Sequence, residues 1–280
     1  MHSRRICLAT AIALLMLIGP AAASAKTLIG SGSSVAQPYL QALFAAYHRV
    51  NPRVQFLYTA DGGNAGVKDV QGGSSQFAAQ SRPPLPSDAG TTYVKLFLDG
   101  LCIYVNSQNH LANLSLGELA DVFTGVRTSW SQIPGSGLST TIDAIGRDST
   151  AGSFTFFTAA VLNGASQGSN VNTLASDGLV ANAVKQDPNS IAYAGLSRAK
   201  DPGIKRVSLG GIPCSAPFIK NLKYPLSRFL WLVLPNANPD PDVAKFADWV
   251  RTSVQAGEII TKGGAVPAFN KTKKHKARKH

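Results

Sequence analysis

Short apolar segments with the spacing of β-strands alternate with segments of helical spacing along most of this chain. Strands are predicted at residues 27–29, 54–58, 76–79, 101–105, 141–145, 190–193, 206–209 and 229–234. A helix with one buried face is predicted after the first strand, from the spacing of Leu40, Leu43, Phe44 and Tyr47. This alternation favours an α/β fold with mainly parallel sheets flanked by helices.

Capping signals mark the starts of two predicted helices. Ser34 and Gln37 have the spacing of a capping box at the first helix, and Ser115 and Glu118 have the same spacing at a later one. A single last helix is predicted near residues 242–260. We expect the segment that carries it to return to the first half of the fold.

The first 25 residues have the pattern of a secretory signal peptide. Arg4 and Arg5 are followed by an apolar run at residues 7–18 and by the small-residue pattern Ala-Ser-Ala at residues 23–25. The alternative, a membrane anchor, is disfavoured because a bilayer-spanning helix needs about 20 apolar residues. We therefore expect cleavage after Ala25 and a mature protein that is periplasmic or secreted.

Positive charge is concentrated at the two ends of the chain. The formal net charge is +12, and residues 271–280 contain six Lys or Arg and no acid. Removing these six charges and the two signal-peptide arginines leaves about +4 on the folded body. We expect residues 269–280 to form a disordered basic tail. The tail either keeps the protein soluble or attaches it to an anionic surface. No nucleic-acid partner is expected.

Two cysteines remain after the expected processing, Cys102 and Cys214. An even number of cysteines in an oxidising compartment permits one disulfide, and two buried free thiols are the alternative. Neither cysteine has a CxxC partner, which argues against redox catalysis and against a zinc site.

Three loops rich in Gly, Ser or Thr follow predicted strands and open predicted helices, at residues 30–34, 61–66 and 147–153. The first turn of a helix presents unpaired N–H groups and a partial positive charge, and small residues let an anion approach them. The hydroxyls of Ser33, Ser34 and Ser153 would add donors. Taken together the loops predict a neutral site for an oxyanion, although each loop alone is equally consistent with a helix cap.

Two arginines are candidate ligands for such an anion. Arg147 follows a predicted strand directly, at the end of the strand where α/β sheets place ligand groups. Its guanidinium can pair with two oxygens of an oxyanion, and the alternative role is a salt bridge, for example with Asp148. Arg82 is a second candidate, although Pro83 also marks the end of an edge strand there.

No catalytic arrangement is evident from the sequence. The histidines left after processing are His48, His110, His275 and His280, and none lies near a nucleophile motif. The pattern H-E-x-x-H is absent from the sequence. An enzyme such as a phosphatase is therefore the least favoured class, and neither a metal nor a cofactor is expected.

Five segments of the chain match the pattern of a known family in the same order. They lie at residues 30–34, 114–125 with Trp130, 147–153, 187–195 and 224–228. Together they resemble the periplasmic phosphate-binding proteins of ABC transporters, within the type II periplasmic-binding-protein superfamily. The resemblance extends from about residue 27 to residue 267 and is most specific at residues 114–130. It implies two α/β lobes with a ligand cleft between them. Lobe 1 would comprise residues 26–107 and 222–268, and lobe 2 residues 108–221.

The resemblance also implies how the ligand is held, by backbone N–H groups, hydroxyls and one arginine around a dehydrated phosphate. With Arg82 added as a second arginine, the candidate ligand residues are Ser33, Ser34, Val35, Gly63, Asn64, Ser81, Arg82, Arg147, Gly152 and Ser153.

Three positions depart from the family pattern. Gly63 or Asn64 stands where the family usually has a serine, and Ala151 stands where the family has another. Ser81 stands where the family has an aspartate that accepts a proton from the bound phosphate and pairs with the arginine. The loss of this acceptor removes a feature that favours protonated phosphate over sulfate, and Asp148 is a candidate replacement.

The predicted function is capture of phosphate or a related oxyanion by a monomer, for delivery to an ABC permease in the inner membrane. The alternative is a secreted or surface-attached protein on the same scaffold. In that case the basic tail would be the attachment element, and phosphate binding would be altered or lost.

Overall fold

The computed structural model describes residues 25–269. The predicted signal peptide and basic tail lie outside these residues, apart from Ala25 and Phe269. The strands are β1 (Lys26–Gly32), β2 (Val54–Thr59), β3 (Phe77–Gln80), β4 (Thr91–Asn106), β5 (Asn113–Leu114), β6 (Asp143–Arg147), β7 (Val171–Leu174), β8 (Ser190–Gly195), β9 (Ile204–Leu209), β10 (Ser227–Pro235) and β11 (Val266–Pro267). The helices are α1 (Gln37–Val50), α2 (Gly63–Gly72), α3 (Leu116–Thr124), α4 (Gly152–Ala160), α5 (Asp177–Gln186), α6 (Ala216–Lys220), α7 (Pro241–Thr252) and α8 (Val254–Gly263).

The strands join in a mixed arrangement whose main path runs β2-β1-β3-β10-β4-β8-β6-β7. Both flanks of this path, β2-β1-β3 and β8-β6-β7, are parallel. The antiparallel pairings are those that β4 and β10 make in the middle. The expected α/β fold is confirmed, and its parallel pairs lie in the flanks.

The long strand β4 connects the two halves of the molecule. Up to Gly100 it pairs with β10, and from Leu101 onward it pairs with β8 and β9. The chain returns from the second half to the first near Leu226, and we call this segment the return crossing. It lies beside β4, because Leu101 N donates to Leu226 O (3.0 Å). We call β1, β2, β3, β10 and the start of β4 the first sheet, and β6 to β9 with the end of β4 the second sheet. The lobe boundary at residue 107/108 stays a prediction.

Each sheet has its own apolar core. On the first sheet, the helices α1, α7 and α8 pack over an aromatic cluster in which Phe44 stacks on Phe56 with ring centroids 4.3 Å apart. On the second sheet, α3, α4 and α5 cover a core in which Phe157 stacks on Tyr193 at 4.1 Å. These separate cores hold the strand ends in place at the junction of the two sheets.

Two expectations about helix ends are wrong and one is confirmed. The single helix near residues 242–260 is two helices, because Ser253 is extended and caps α8 through Ala256 N (3.4 Å). The capping box at Ser34 does not form, because α1 begins at Gln37 without a side-chain cap. The capping box of Ser115 and Glu118 forms in both directions.

A disulfide joins Cys102 on β4 to Cys214 before α6, with their Cα atoms 5.6 Å apart. It ties the second sheet to the segment that leads to the return crossing. Within residues 25–269, no helix has both the length and the apolar character that crossing a bilayer requires.

Candidate functional site

The first loop of the site is shaped by a glycine that no other residue could replace without strain. Gly32 has a φ of +120°, and a Cβ atom there would lie 2.4 Å from Ala79 O. Its N–H donates to Asp61 Oδ1 (2.8 Å), and the next N–H, of Ser33, donates to Ala79 O (2.8 Å). These contacts place residues 33–35 at the carboxyl end of β1, in front of α1, where open α/β sheets bind ligands.

Five backbone N–H groups of buried residues around this junction have no acceptor in the described part of the chain. They belong to Ser34, Val35, Gly63, Gly152 and Ser153. Gly63 and Gly152 begin the helices α2 and α4, so that their N–H groups are among those that a helix cannot satisfy itself. Buried N–H groups are nearly always paired in proteins, and a set of this kind is therefore suited to an external acceptor.

The three predicted serine hydroxyls, of Ser33, Ser34 and Ser153, are oriented as donors. Their oxygens accept hydrogen bonds from, in order, Ala36 N (3.4 Å), Asp177 N (3.4 Å) and Arg228 Nη1 (2.9 Å). Because the protein uses the oxygen of each hydroxyl as an acceptor, its proton can donate to another group, which for Ser153 includes Ser81 Oγ at 3.5 Å. We call these hydroxyls and the five N–H groups the donor cluster.

The loops of the two sheets contact each other at Asn64. Its backbone N–H donates to Thr150 O (2.8 Å), and its Nδ2 donates to Ser149 O (2.9 Å) and Thr155 Oγ1 (2.8 Å). Its Oδ1 accepts from Arg82 Nε (2.7 Å). The side chain of Asn64 thus links the two sheets, whereas the neighbouring Gly63 contributes a free N–H group.

Arg82 is enclosed by groups of the first sheet. Its guanidinium donates to both oxygens of Asp88 (2.6 and 3.0 Å) and to Pro83 O (3.0 Å), in addition to Asn64. Burial by itself would raise the pKa of Asp88, but hydrogen bonds from Arg82 and Tyr93 outweigh it and lower the pKa. Arg82 thus forms a buried salt bridge with Asp88.

Arg147 lies at the end of β6 and is almost fully buried. It donates through Nε to Leu174 O (2.9 Å), through Nη1 to Asp177 Oδ1 (2.5 Å) and through Nη2 to Ala175 O (2.7 Å). A guanidinium has five N–H donors, so one on each terminal nitrogen is left without a protein partner. The salt bridge considered with Asp148 is wrong, because Asp148 instead accepts from Thr150 N (2.9 Å) in its own loop.

A second buried arginine, Arg228, lies behind the donor cluster. It donates to Asp99 Oδ2 through Nε (3.1 Å) and Nη2 (3.0 Å), and through Nη1 to Ser153 Oγ and to Ser81 O (3.3 Å). Complete burial raises the pKa of Asp99, and the charge of Arg228 opposes that rise. The ion pair fixes Ser153 at the start of α4 and also contacts the end of β3.

Sequence reasoning missed Arg228, Asp99 and Asp177 as parts of this site. Arg228 ends one of the segments that carry the family resemblance, which was a usable signal. Asp99 was also visible, as a single acid within an apolar strand. Asp177 gave no signal, because an aspartate in the first turn of a helix usually serves only the helix.

Gln80 was missed as well, because the strand predicted there ended at residue 79. Its side chain is fully buried, and its Oε1 lies where Cβ atoms on Gly63 and Gly152 would be, 2.2 and 1.7 Å from those positions. A Cβ atom at either glycine would therefore force the Gln80 amide to move. Ser81, next to Gln80, lies with its Oγ 3.5 Å from Ser153 Oγ.

The charges of the buried arginines around the site are balanced. Each buried arginine, Arg82, Arg147 and Arg228, forms a salt bridge with a buried aspartate. No group of three potential metal-ligating side chains occurs within residues 25–269. The arrangement therefore offers hydrogen-bond donors, supported by helix N-termini, to a small acceptor-rich anion.

Comparisons with known proteins agree with this geometry. A family model described as the PBP superfamily domain matches residues 19–253. The phosphate-binding protein PstS of Borreliella burgdorferi is 24% identical over 245 residues, which cover 83% of this chain and 87% of that protein. PstS of Pseudomonas aeruginosa is 25% identical over 292 aligned residues, covering 92% and 90%.

A similar solved structure comes from Clostridium perfringens and is described as a phosphate ABC transporter substrate-binding protein with bound phosphate. It superimposes with a TM-score of 0.81 at 23% identity, covering 86% of this chain and 99% of that one. At this level of identity the likeness shows a shared fold.

Proposed function

This chain belongs to the PBP superfamily, and we propose that it captures inorganic phosphate at the junction of its first and second sheets. The observation that carries the proposal is the donor cluster, whose five N–H groups have no acceptor in the described residues and whose three hydroxyl oxygens already accept hydrogen bonds. A dehydrated tetrahedral oxyanion is small and has four acceptor oxygens. It can therefore accept hydrogen bonds from several such donors at once.

The ligands we propose are Ser33, Ser34, Val35, Gly63, Gly152 and Ser153, together with the two unpaired N–H groups of Arg147. Because the cluster draws residues from both sheets, the bound anion would stabilise the arrangement in which the loops of the two sheets meet. Differential affinity for that arrangement is what a ligand needs in order to drive closure.

The names of the relatives support a role in phosphate uptake. Those relatives are called phosphate-binding protein PstS, and the Clostridium structure is described as part of a phosphate ABC transporter. We propose delivery to an ABC permease, by a monomer in the periplasm after cleavage of the signal peptide. The function proposed is binding rather than catalysis.

The test is isothermal titration calorimetry on residues 26–280, freed of bound ligand by unfolding and refolding. Phosphate is expected to bind. Ser34→Ala and Ser153→Ala should each weaken binding about tenfold or more, because a hydrogen bond to a charged group contributes about 1.5–3 kcal/mol.

The matched control is Ser87→Ala, which makes the same change at an exposed serine and should leave the affinity unaltered. Absence of heat with phosphate, from protein shown to be folded by circular dichroism, would overturn the proposed function. Equal affinities in the three variants and the parent would instead remove these serines from the site.

A further inference from the structure

The turn after α6 holds a leucine in a backbone conformation that glycine usually adopts. Leu222 N donates to Ile219 O (3.0 Å) and Lys223 N donates to Phe218 O (2.8 Å), which is the hydrogen-bond pattern of a Schellman motif. The residue after the helix C-cap has a positive φ in this motif, and Leu222 has a φ of +54°. A branched side chain is disfavoured in this conformation, because its Cβ atom crowds the backbone.

Leu222 is also directed away from the core. It is 58% exposed, whereas Ile219 and Tyr224 on either side are buried in the core of the second sheet. The hydroxyl of Tyr224 donates to Leu101 O (3.1 Å) and so fixes the end of the turn to β4. The turn is therefore anchored, and it presents one apolar side chain to the outside at a position where the helix end would be better served by glycine.

Four basic side chains surround this turn. Lys220 and Lys223 belong to the turn itself, and Lys205 and Arg206 on β9 line a cleft with Cys214, just before α6. Arg206 Nη1 donates to Cys214 O in this cleft. None of the four side chains is in a salt bridge within residues 25–269. We call Lys205, Arg206, Lys220 and Lys223 the basic face.

This part of the molecule carries the excess charge of the folded body. Residues 196–223 contain six Lys or Arg and one acid, whereas the net charge of the whole folded body is about +4. The rest of the body is therefore close to neutral. Near the end of the described residues, Val266 and Pro267 line a cleft together with Lys220. The sequence that follows them carries six further Lys or Arg, so that its charge is attached beside the basic face.

A basic surface with one protruding apolar side chain fits an anionic lipid bilayer. The negative surface potential of such a bilayer attracts Lys and Arg side chains. An apolar side chain among them can enter the boundary between headgroups and acyl chains. An acidic protein would match the charge of the basic face, but it would give no role to Leu222.

We propose that the basic face and Leu222 form a docking site for the surface of an anionic phospholipid bilayer, with the basic side chains at the headgroups and Leu222 inserted between them. This inference goes beyond the proposed function, because none of these residues belongs to the donor cluster. Bound in this way, the protein would stay beside the membrane to which delivery of phosphate is proposed.

The test is sedimentation of residues 26–280 with vesicles of phosphatidylcholine alone or of phosphatidylcholine and phosphatidylglycerol in equal parts. The parent should bind only the anionic vesicles, and less tightly at high salt because ions screen surface charge. Lys220→Gln combined with Lys223→Gln should weaken binding about tenfold or more. The matched control, Arg53→Gln combined with Lys68→Gln, removes the same charge at exposed positions of the first sheet and its helix α2, and it should leave binding nearly unchanged.

A second variant, Leu222→Gly, separates docking from folding. Glycine suits the positive φ, so that the Tm should be kept or raised, while vesicle binding should fall several-fold with the loss of the apolar side chain. The control is Asn238→Gly, at another exposed position with a positive φ (+50°), which should leave vesicle binding unaltered.

The inference would be overturned by a parent that binds neither kind of vesicle, by equal losses in the two double variants, or by Leu222→Gly binding as tightly as the parent. Deletion of residues 271–280 should weaken binding without abolishing it. Complete loss would assign attachment to those residues alone and would also overturn the inference. Phosphate titrations of all these variants should match the parent, so that the docking site and the proposed function fail in different measurements.

Discussion

Arg82 and Arg147 occupy equivalent places in the two sheets, yet their surroundings differ. Arg147 ends a strand of one parallel flank and Arg82 lies two residues beyond a strand of the other; both are buried, and both form a salt bridge with an aspartate. The guanidinium of Arg82 has a partner for every N–H except one on Nη2, whereas that of Arg147 leaves one N–H on each terminal nitrogen without a partner. A position at the end of a strand therefore does not by itself make an arginine a ligand. The acceptors that the rest of the chain supplies decide it.

The largest expected effect tests the structural role of the first arginine. Asp88→Ala should lower the free energy of unfolding by about 3–5 kcal/mol, because it leaves Arg82 buried without a counter-charge. Urea denaturation followed by circular dichroism measures this quantity.

The control for this change is Asp248→Ala. Asp248 is 77% exposed and lies 3.9 Å from Arg251, so that its removal should cost no more than about 0.5 kcal/mol. If Asp88→Ala lowered the free energy of unfolding no more than the control does, the structural role assigned to Arg82 in this comparison would be wrong.

The next effect tests the ligand role proposed for the second arginine. Arg147→Met should lower phosphate affinity about 10- to 100-fold, since hydrogen bonds from a charged donor contribute about 1.5–3 kcal/mol. It should also reduce stability, because Asp177 is left unpaired. Titration calorimetry is performed under conditions in which the variant is folded, and Arg53→Met at an exposed turn is the matched control. An unchanged phosphate affinity would mean that Arg147, like Arg82, is not a ligand of the anion.

The smallest effect is a difference in acid sensitivity. The pKa of Asp88 is lowered in the folded protein from its ordinary value of 3.8, so that its contribution to stability is present above that value and is lost as the pH falls through the lower, folded pKa. The stability difference between the parent and Asp88→Ala should accordingly shrink below about pH 4. Urea denaturation at a series of pH values checks this, and a constant difference down to the lowest pH would contradict it.

Local sequence determined most of the fold. Alternating apolar spacings identified the strands of both flanks except β7, and they identified the α/β class, because periodicity follows directly from which face of each element is buried. The capping box at Ser115 was readable for the same local reason. Sequence patterns did not predict the first half of β4, whose partner β10 lies more than a hundred residues away. They also did not predict the break at Ser253 between α7 and α8.

For the site, the sequence determined which residue types could donate, and tertiary structure decided which of them do. Ser34 has the spacing of a helix cap, yet its oxygen faces Asp177 N from the second sheet. Arg147 pairs with Asp177 rather than with its neighbour Asp148, and Gln80 owes its orientation to Asn64 and Arg82. Hydrogen-bond partners are chosen by three-dimensional proximity, and long-range pairings of this kind leave no periodic pattern in the chain.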